Sequence, residues 1–411
     1  MKQKNQVFFV IFCFLFVTKF FKFGPITNFE GYNYLLDYTM LGCFLFVISK
    51  FQPSKNNLDS VSKSIYRILV MFAFSFIWPT LFWGQPILKT LRGMQIILPL
   101  SMFFIFLYNK IKPIYILKGT IVLGVLYTVL LFIGLATFPN NIFGYSQYFE
   151  EMAEMNLEQR GIIRLNLPGS DFIVVLIFAV LTFFEKKKKW YLLLVPLFIV
   201  LLMRGTRTPL VVSAVICLGY YLLRMKRRWL AIIFLIVFYC GFNLGYDILL
   251  ESNSDDILTK YVHYTDAQKQ EQEEGETNIR ILMIEHFFTE FNNNPLANWV
   301  GNGACCSGGG AYYKAILKSA SNGWSYNDSL ISNVFCFFGI IGLYLYLLLL
   351  WRVIKTRVCK EAKYAKLYVI YVFMIGVTNI QLLSIAPIIF AMNLYVVQQG
   401  TIGKLKWKDI L

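Results

Sequence analysis

Charged side chains are scarce in this sequence. Only 15% of its 411 residues are Asp, Glu, Lys or Arg, against about 25% in ordinary soluble domains. Hydrophobic residues make up 57% and aromatic residues 18% of the chain, and the mean hydropathy is +0.57. This composition excludes a water-soluble globule. It equally excludes a disordered chain, which would be poor in hydrophobic residues.

The usual metal ligands are also sparse. The chain has two histidines, His263 and His286, and its eight cysteines contain no Cys-x-x-Cys pair and no Cys/His spacing suited to zinc. The segments predicted below to lie outside the membrane contain no Asp-x-Asp and no other convincing carboxylate cluster at metal-holding spacing, and the Glu-rich run at 271–276 is interpreted as a solvated stretch. We therefore predict no metal and no cofactor in catalysis. The adjacent Cys305-Cys306 pair is open to two interpretations, small loop residues or a strained redox pair.

Long apolar runs dominate the chain instead. About 20 consecutive apolar residues are enough to cross a bilayer as a helix. The sequence therefore predicts an all-α polytopic membrane protein with about twelve transmembrane helices. The predicted spans are 6–23, 34–51, 64–83, 87–108, 114–138, 170–184, 190–203, 208–223, 229–249, 328–351, 367–383 and 385–399.

The basic residues indicate the orientation of these spans. With the amino terminus inside, 26 of the 39 Lys and Arg residues, but only four of the 23 acidic residues, fall on the inner side. Cytoplasmic loops are enriched in Lys and Arg, so both termini are predicted to be cytoplasmic. The net charge of +16 is therefore typical of a cytoplasmic membrane face and does not indicate nucleic-acid binding.

This scheme divides the chain into three parts. Residues 1–249 hold transmembrane helices 1–9, with an outside loop at 139–169. Residues 250–327 form a long extracytoplasmic loop before helix 10, and the pattern within it predicts a short amphipathic helix at about 277–291. Residues 328–411 hold helices 10–12 and a cytoplasmic tail.

Several basic residues lie on the predicted outer side, against the charge rule. Arg204 and Arg207 occupy the turn between two short spans, where arginines are costly unless they meet an anion. Gly205 and the neighbouring threonines would let a phosphate approach the backbone. The alternative is snorkelling combined with pairing to loop acids. Two further basic pairs lie on the outer side, Lys89 with Arg92 and Arg160 with Arg164. For both pairs, the alternative to binding an anion is ordinary anchoring at the membrane interface.

Arg280 falls on the predicted loop helix. A helical projection places it near the centre of the face formed by Met283, Ile284, Phe287, Phe288 and Phe291, with Glu285 and His286 on the other side. We expect this face to cover the membrane domain and to aim Arg280 at the other arginines. The alternative is a salt bridge from Arg280 to a span acid such as Asp37, Asp171 or Asp247.

Converging arginines suit a diphosphate ligand. The guanidinium group is planar and permanently charged, and it offers phosphate oxygens a bidentate pair of donors. If a lipid diphosphate is the leaving group, the same donors stabilise the charge that grows on it without a metal.

A family resemblance rests on motifs in 200–345. These are the Arg-Gly-Thr-Arg-Thr-Pro-Leu turn at 204–210, the Asn-Ile-Arg and Glu-His-Phe-Phe sequences at 278–288, Asn-Pro-Leu at 294–296, Gly-Asn-Gly at 301–303, Tyr-Asn-Asp-Ser-Leu at 326–330 and Phe-Gly-Ile-Ile-Gly-Leu at 338–343. With the twelve-span plan, they resemble the bacterial O-antigen polymerase and O-antigen ligase superfamily of polyprenyl-linked glycan enzymes.

The resemblance implies inverting glycosyl transfer at the outer face of the bacterial cytoplasmic membrane. The donor would be an undecaprenyl-diphosphate-linked oligosaccharide held by Arg207 and Arg280, with help from Arg204 and Arg92. Membrane lipid and a chain-length regulator are the further candidate partners. The ligase branch usually has a histidine just before the asparagine of span ten, where this chain has Tyr326. This departure favours a Wzy-type polymerase of O-antigen, capsule or exopolysaccharide repeat units.

The general base is open between two carboxylates, Asp328 and Glu285. Asp328 has a second interpretation as a helix cap, because Asn-Asp-Ser precedes an apolar run. A ligase that moves the glycan to another acceptor is the nearest rival function. A lipid-linked sugar flippase is the more distant rival, because transporters tend to carry ionisable groups near the bilayer midplane, whereas the span centres here are almost free of charge.

Overall fold

The computed structural model describes most of the predicted membrane helices and part of the long loop. The described residues are 3–17, 30–51, 58–93, 98–137, 169–183, 188–204, 207–224, 233, 244, 247–252, 259–260, 262–263, 266, 279–305, 310–322, 324–325, 329–376 and 387–401. They are predominantly helical, with one isolated β-bridge between Val358 and Thr401.

Sixteen α-helices are named here from the described part of the chain. In chain order they are α1 (Gln3–Val17), α2 (Glu30–Lys50), α3 (Ser60–Ser75), α4 (Trp78–Trp83), α5 (Ile87–Gly93), α6 (Met102–Tyr108), α7 (Pro113–Thr137), α8 (Ser170–Thr182), α9 (Leu194–Met203), α10 (Arg207–Leu222), α11 (Ile279–Thr289), α12 (Ala297–Val300), α13 (Ala311–Ser321), α14 (Leu330–Lys355), α15 (Lys363–Ile375) and α16 (Pro387–Gln399). Short 3₁₀ segments precede α6, α9 and α15.

The helices have the length and surface of a membrane protein. Three described stretches, Ser60–Trp83, Pro113–Thr137 and Leu330–Lys355, are long and apolar enough to cross a bilayer. Large apolar side chains also face outward from the bundle, including Val125 and Leu347, which are 57% and 51% exposed. The prediction of an all-α membrane protein is confirmed at this level.

The core of the bundle is formed by helices that are buried on nearly all sides. Every residue of α16 from Pro387 to Gln398 is buried, and α8 is buried except at Leu176. A helix that is apolar around its whole circumference requires neighbours around its whole circumference. Here α15 packs against both α8 and α16, while α7 contacts α8, and α6 contacts α16.

The bundle has two distinct ends. At one end, which we call the capped end, α11 and α12 pack against α14, α13 contacts α4, and the Leu330 N–H donates to the Gly376 carbonyl (2.7 Å). At the opposite end, the Arg352 guanidinium donates to the Ser60 carbonyl (2.8 Å) and the Ser64 hydroxyl (2.7 Å). These contacts order the helix ends on both sides of the bundle.

The predicted fourth span, 87–108, differs from the observed chain. The structure divides it into α5, a 3₁₀ segment at Leu98–Ser101 and α6. Two local features account for the division. Gly93, at the end of α5, lies directly against the Cys305 carbonyl, and Pro99 has no N–H with which to continue an α-helix. As a result α5 lies against Ala304 and Cys305 of the long loop, and α6 lies in the bundle.

A second interruption occurs in α14, at Gly339. Its φ of 63° and ψ of −162° belong to a region that essentially only glycine occupies. A segment of the long loop docks at this break. The Asn302 N–H donates to the Cys336 carbonyl (2.7 Å), and the Gly303 N–H donates to the Phe337 carbonyl (2.9 Å). We call this pairing between 301–303 and 336–339 the latch.

Two glycines allow the latch to close. A Cβ at Gly301 would overlap the Phe337 carbonyl, and a Cβ at Gly339 would overlap the Trp299 carbonyl. Gly301 also has a φ of 77° and a ψ of 179°, in the same glycine-only region as Gly339. The two backbones therefore approach each other more closely than any side chain would permit.

We predict that Gly301→Ala and Gly339→Ala destabilise the protein by at least the ~1–3 kcal/mol cost of such a backbone conformation in a non-glycine residue. The measurement is the melting temperature of the purified protein in detergent. Gly310→Ala is the matched control, because Gly310 has a φ of −71° and a methyl group added there would meet no atom within 4 Å. Equal melting temperatures for all three variants would contradict the latch.

Candidate active site

The end of α9, at Arg204, lies within the bundle next to the start of α8. Gly169, just before α8, packs against Tyr127 and Phe14, and the rings of Phe14 and Phe172 lie 4.1 Å apart. Tyr127 precedes the end of α7 by ten residues, or about 15 Å of helix. The start of α8 is therefore recessed by that distance below the end of α7.

Arg204 lies at the same recessed level as the start of α8. It is the C-cap residue of α9, where a cation is favoured by the helix dipole, and its charge acts on Asp171 in the first turn of α8. Arg207 is the first residue of α10. The structure thus places Arg204 at the end of α9 and the backbone of Arg207 at the start of α10, whereas Gly205, Thr206 and the Arg207 side chain lie outside the described residues.

Nη1 of Arg204 and Oδ1 of Asp171 are not hydrogen-bonded to each other. Neither Nη1 of Arg204 nor Oδ1 of Asp171 has a hydrogen-bond partner among the described residues, although both atoms are buried. Asp171 is only 7% exposed. It does not cap its helix either, because the N-cap position of α8 is Gly169 and no side-chain cap bond forms there.

Two tyrosines complete this arrangement. The hydroxyls of Tyr127 and Tyr368 are buried without a partner in the described part of the chain. Tyr127 lies in the electrostatic field of both Arg204 and Asp171, and Tyr368 lies in that of Asp171. We call Tyr127, Asp171, Arg204 and Tyr368 the buried polar cluster. Its members come from four elements: α7, α8, the end of α9, and α15.

We call α11, α12 and α13 the cap. They are organised around Trp83, the last residue of α4. Its indole N–H donates to the Asn302 side chain (2.9 Å), and its ring stacks on Tyr312 with centroids 5.1 Å apart. The Tyr312 hydroxyl in turn donates to the Gly303 carbonyl (2.8 Å). Because Asn302 and Gly303 also form the latch, α4, α13 and the break in α14 are held by one network.

The second predicted basic pair lies on α5, next to this network. The Gln85 amide donates to Thr90 (2.8 Å) and to the Ala304 carbonyl (3.1 Å). These two hydrogen bonds fix α5 against the part of the long loop at Ala304. Lys89 is half-buried and lines an open cavity of about 320 Å³. Asp37 and three apolar or aromatic side chains of α2 line the same cavity. Arg92 is on the last turn of α5, and its side chain lies outside the described residues.

The loop helix α11 packs on the bundle through its apolar face. Met283 and Phe287 are buried, and Phe288 stacks on Phe335 of α14 with ring centroids 4.0 Å apart. Arg280 is the second residue of α11, and its side chain lies outside the described residues. The candidate base Glu285 is exposed.

His286 has a structural position between two helices of the cap. Its Nδ1 lies 3.0 Å from the Glu290 carboxylate and its Nε2 lies 3.0 Å from the Ser319 hydroxyl. Its ring also packs on Trp324, with centroids 4.7 Å apart. Both ring nitrogens are thus engaged, and the contact of Nε2 with Ser319 joins α11 to α13.

The remaining candidate residues fall outside the described part of the chain. They are Arg160, Arg164 and Asp328. The described chain resumes at Ser329, which occupies the N-cap position of α14 in an extended conformation. Asp328 therefore comes one residue before the N-cap residue. Among the described residues, no group of three His, Cys, Asp or Glu side chains is placed to hold a metal ion.

The sequence pattern does not single out Asp171 as a partner of Arg204. It marks this residue only as one of three span acids that could pair with Arg280. The available signal is an acidic residue at the very start of an apolar run, in Gly-Ser-Asp-Phe-Ile at 169–173. Tyr127 and Tyr368 give no signal, because tyrosine is common throughout the chain.

The comparison with known families locates a domain on these same elements. Residues 192–347 match the model of the O-antigen ligase family (Wzy_C). No curated protein and no solved structure matches the chain. The matched residues begin just before α9, contain the arginine turn, the loop helices and the latch, and end in α14.

Members of this family are membrane glycosyltransferase-like enzymes that act on lipid-linked glycans. The match confirms the resemblance drawn from the sequence motifs. Residues 192–347 of this membrane protein are therefore similar to the O-antigen ligase family, and this similarity supports a place in the O-antigen polymerase and ligase superfamily.

Proposed function

We propose that this protein is a polysaccharide polymerase that joins lipid-linked repeat units of an O-antigen, capsule or exopolysaccharide. The observation that carries the proposal is the position of Arg204, whose buried Nη1 has no partner among the described residues and lies at a recessed turn of the family domain. A permanently charged donor held in that state suits an anionic ligand such as a lipid diphosphate.

The proposal includes the topology on which this chemistry depends. The chain crosses the bacterial cytoplasmic membrane with about twelve helices and both termini in the cytoplasm, and the capped end faces outward. The charges of the described residues support this orientation, since Arg352, Lys355, Arg357 and Lys360 lie together at the end opposite the cap.

The reaction follows from the arginines. A hydroxyl oxygen of one lipid-linked repeat attacks the anomeric carbon of the growing glycan. The bond from that carbon to the diphosphate oxygen breaks, and undecaprenyl diphosphate leaves with the electron pair. Arg207 and Arg280, with Arg204 and Arg92, stabilise the charge on the leaving diphosphate. A carboxylate accepts the hydroxyl proton.

Two observations favour a polymerase over a ligase. The histidine that the ligase branch usually has before Asn327 is replaced by Tyr326 in this sequence. His286, the histidine on α11, contacts the Glu290 carboxylate and the Ser319 hydroxyl. It therefore has a structural role that does not substitute for the missing residue.

The glycan pattern of a strain lacking this protein distinguishes the candidate functions. For a polymerase, we expect a single repeat unit on the surface acceptor instead of a chain, measured by gel separation of surface glycans. Accumulated lipid-linked polymer would identify a ligase, and repeat units trapped at the inner face would identify a flippase. Either of these outcomes would overturn the proposal.

We predict that the arginine turn is accessible from outside. A cysteine at Thr206 should react with a membrane-impermeant maleimide in intact spheroplasts of a strain in which Cys305 and Cys306 are replaced by serine. Burial raises the pKa of the native Cys359 thiol to about 11, so this thiol should remain largely unreactive at neutral pH. Lys360→Cys, at the opposite end, is the control and should react only after permeabilisation. The reverse labelling pattern would contradict the orientation.

We predict that Arg207→Ala and Arg280→Ala each lower polymerisation by at least ~10²-fold, the typical effect of removing one preorganised donor from a developing negative charge. Membrane levels of the protein should be unchanged. Arg→Lys should rescue poorly, because an ammonium group lacks the bidentate geometry.

The matched control is Arg224→Ala, which removes an exposed arginine just beyond the other end of α10. It should leave chain formation unchanged. Full activity of the lysine variants would mean that the arginines only balance charge.

A further inference from the structure

The buried polar cluster contains a combination of groups that a diphosphate alone does not account for. Arg204 offers a donor to an anion, but Asp171 offers a carboxylate oxygen, which repels one. Oδ1 of Asp171 and the hydroxyls of Tyr127 and Tyr368 have no partner among the described residues. Buried polar groups in native proteins are as a rule hydrogen-bonded, so these atoms are suited to a ligand that both donates and accepts.

Sugar hydroxyls meet that requirement. Each hydroxyl donates one hydrogen bond and accepts others, as do the tyrosine hydroxyls that surround Asp171. We propose that Tyr127, Asp171 and Tyr368 of the buried polar cluster form the subsite for the acceptor sugar beside Arg204, and that Asp171 accepts the proton of the attacking hydroxyl. This inference rests on the proposed transferase function and adds the acceptor site and the base to it.

The geometry of the bundle supports this assignment. Asp171 is 7% exposed, and it sits where α8 begins, about 15 Å below the end of α7. Arg204 is close enough for its charge to act on Asp171, yet their buried atoms are not hydrogen-bonded to each other. The base that activates the acceptor and the arginine that binds the leaving group must lie on either side of the reacting sugar. They must therefore lie close together without a hydrogen bond to each other, as Asp171 and Arg204 do.

The two carboxylates predicted from the sequence as the base are less suited to the role. Glu285 is exposed, and α11 meets the bundle through its opposite, apolar face at Phe287 and Phe288. Asp328 lies outside the described residues and enters the test as a comparator. Asp171, by contrast, lies within the electrostatic field of Arg204 and has a buried Oδ1 without a partner among the described residues.

The proposed step is balanced. The acceptor oxygen forms a bond to the anomeric carbon, and the bond from that carbon to the diphosphate oxygen breaks with its electron pair. The hydroxyl proton passes to Oδ1 of Asp171 and then to water at the capped end. Tyr127 and Tyr368 donate to or accept from the acceptor sugar and so orient its hydroxyl.

The test compares Asp171→Asn, Asp328→Asn and the wild type in nanodiscs, supplied with the lipid-linked repeat unit extracted from the deletion strain. Single-turnover chain formation and binding of undecaprenyl diphosphate are measured on matched amounts of protein. Asp247→Asn is the control, because Asp247 is exposed.

We expect Asp171→Asn to lower the chain-forming rate by ~10²–10⁴-fold, the usual effect of losing a general base. Binding of undecaprenyl diphosphate should persist, because the amide leaves Arg204 in place. Tyr127→Phe should raise the acceptor concentration needed for half-maximal rate, while Asp247→Asn should match the wild type.

Three results would overturn the inference. The first is chain formation by Asp171→Asn at the wild-type rate, or a loss of rate in Asp328→Asn alone. The second is a low level of Asp171→Asn protein that recovers in the Asp171→Asn, Arg204→Gln double variant, which is the behaviour of a charge-balancing pair. The third is a wild-type protein that forms no chain from this lipid, which would overturn the proposed function itself.

Discussion

The break in α14 at Gly339 is the constraint on which the capped end depends. Backbone carbonyls in an apolar bundle need hydrogen-bond donors, and at this break those of Cys336 and Phe337 accept from Asn302 and Gly303. Asn302 then receives the Trp83 indole, and Gly303 receives the Tyr312 hydroxyl. One pair of main-chain hydrogen bonds therefore fixes the long loop, and through it α4, α5 and α13, on the membrane helices.

A second constraint acts inside the bundle, where charge is confined to a few positions. Helices α8 and α9 are short, so their ends bring Asp171 and Arg204 to a level well below the end of α7. Charges at such depth are expensive, and they occur mostly where they serve a substrate or a partner. The latch and the buried polar cluster are linked by α15, which carries Tyr368. Gly376 is the C-cap residue of α15, and its carbonyl accepts from Leu330 at the start of α14, the helix that contains the latch.

The sequence predicts those features whose cause is local. The apolar face of α11 is visible in the spacing of Met283 and Phe287, because helical periodicity acts over a few residues. The all-α membrane class follows from hydropathy alone. The close approach of Gly301 to Gly339 and of Asp171 to Arg204 could not be predicted, because each depends on where distant elements meet in depth. Hydropathy indicates that a segment crosses the bilayer, but not the level at which its polar end stops.

The most direct test of the central claim, that recessed arginines hold a lipid diphosphate, is the location of the diphosphate in a complex. The measurement is a density map of the protein in nanodiscs with undecaprenyl diphosphate and a chelator of divalent cations. The account predicts diphosphate density within hydrogen-bond distance of Arg204 or Arg207, beside Asp171. Density only at the opposite end of the bundle, or binding that requires a divalent cation, would contradict it.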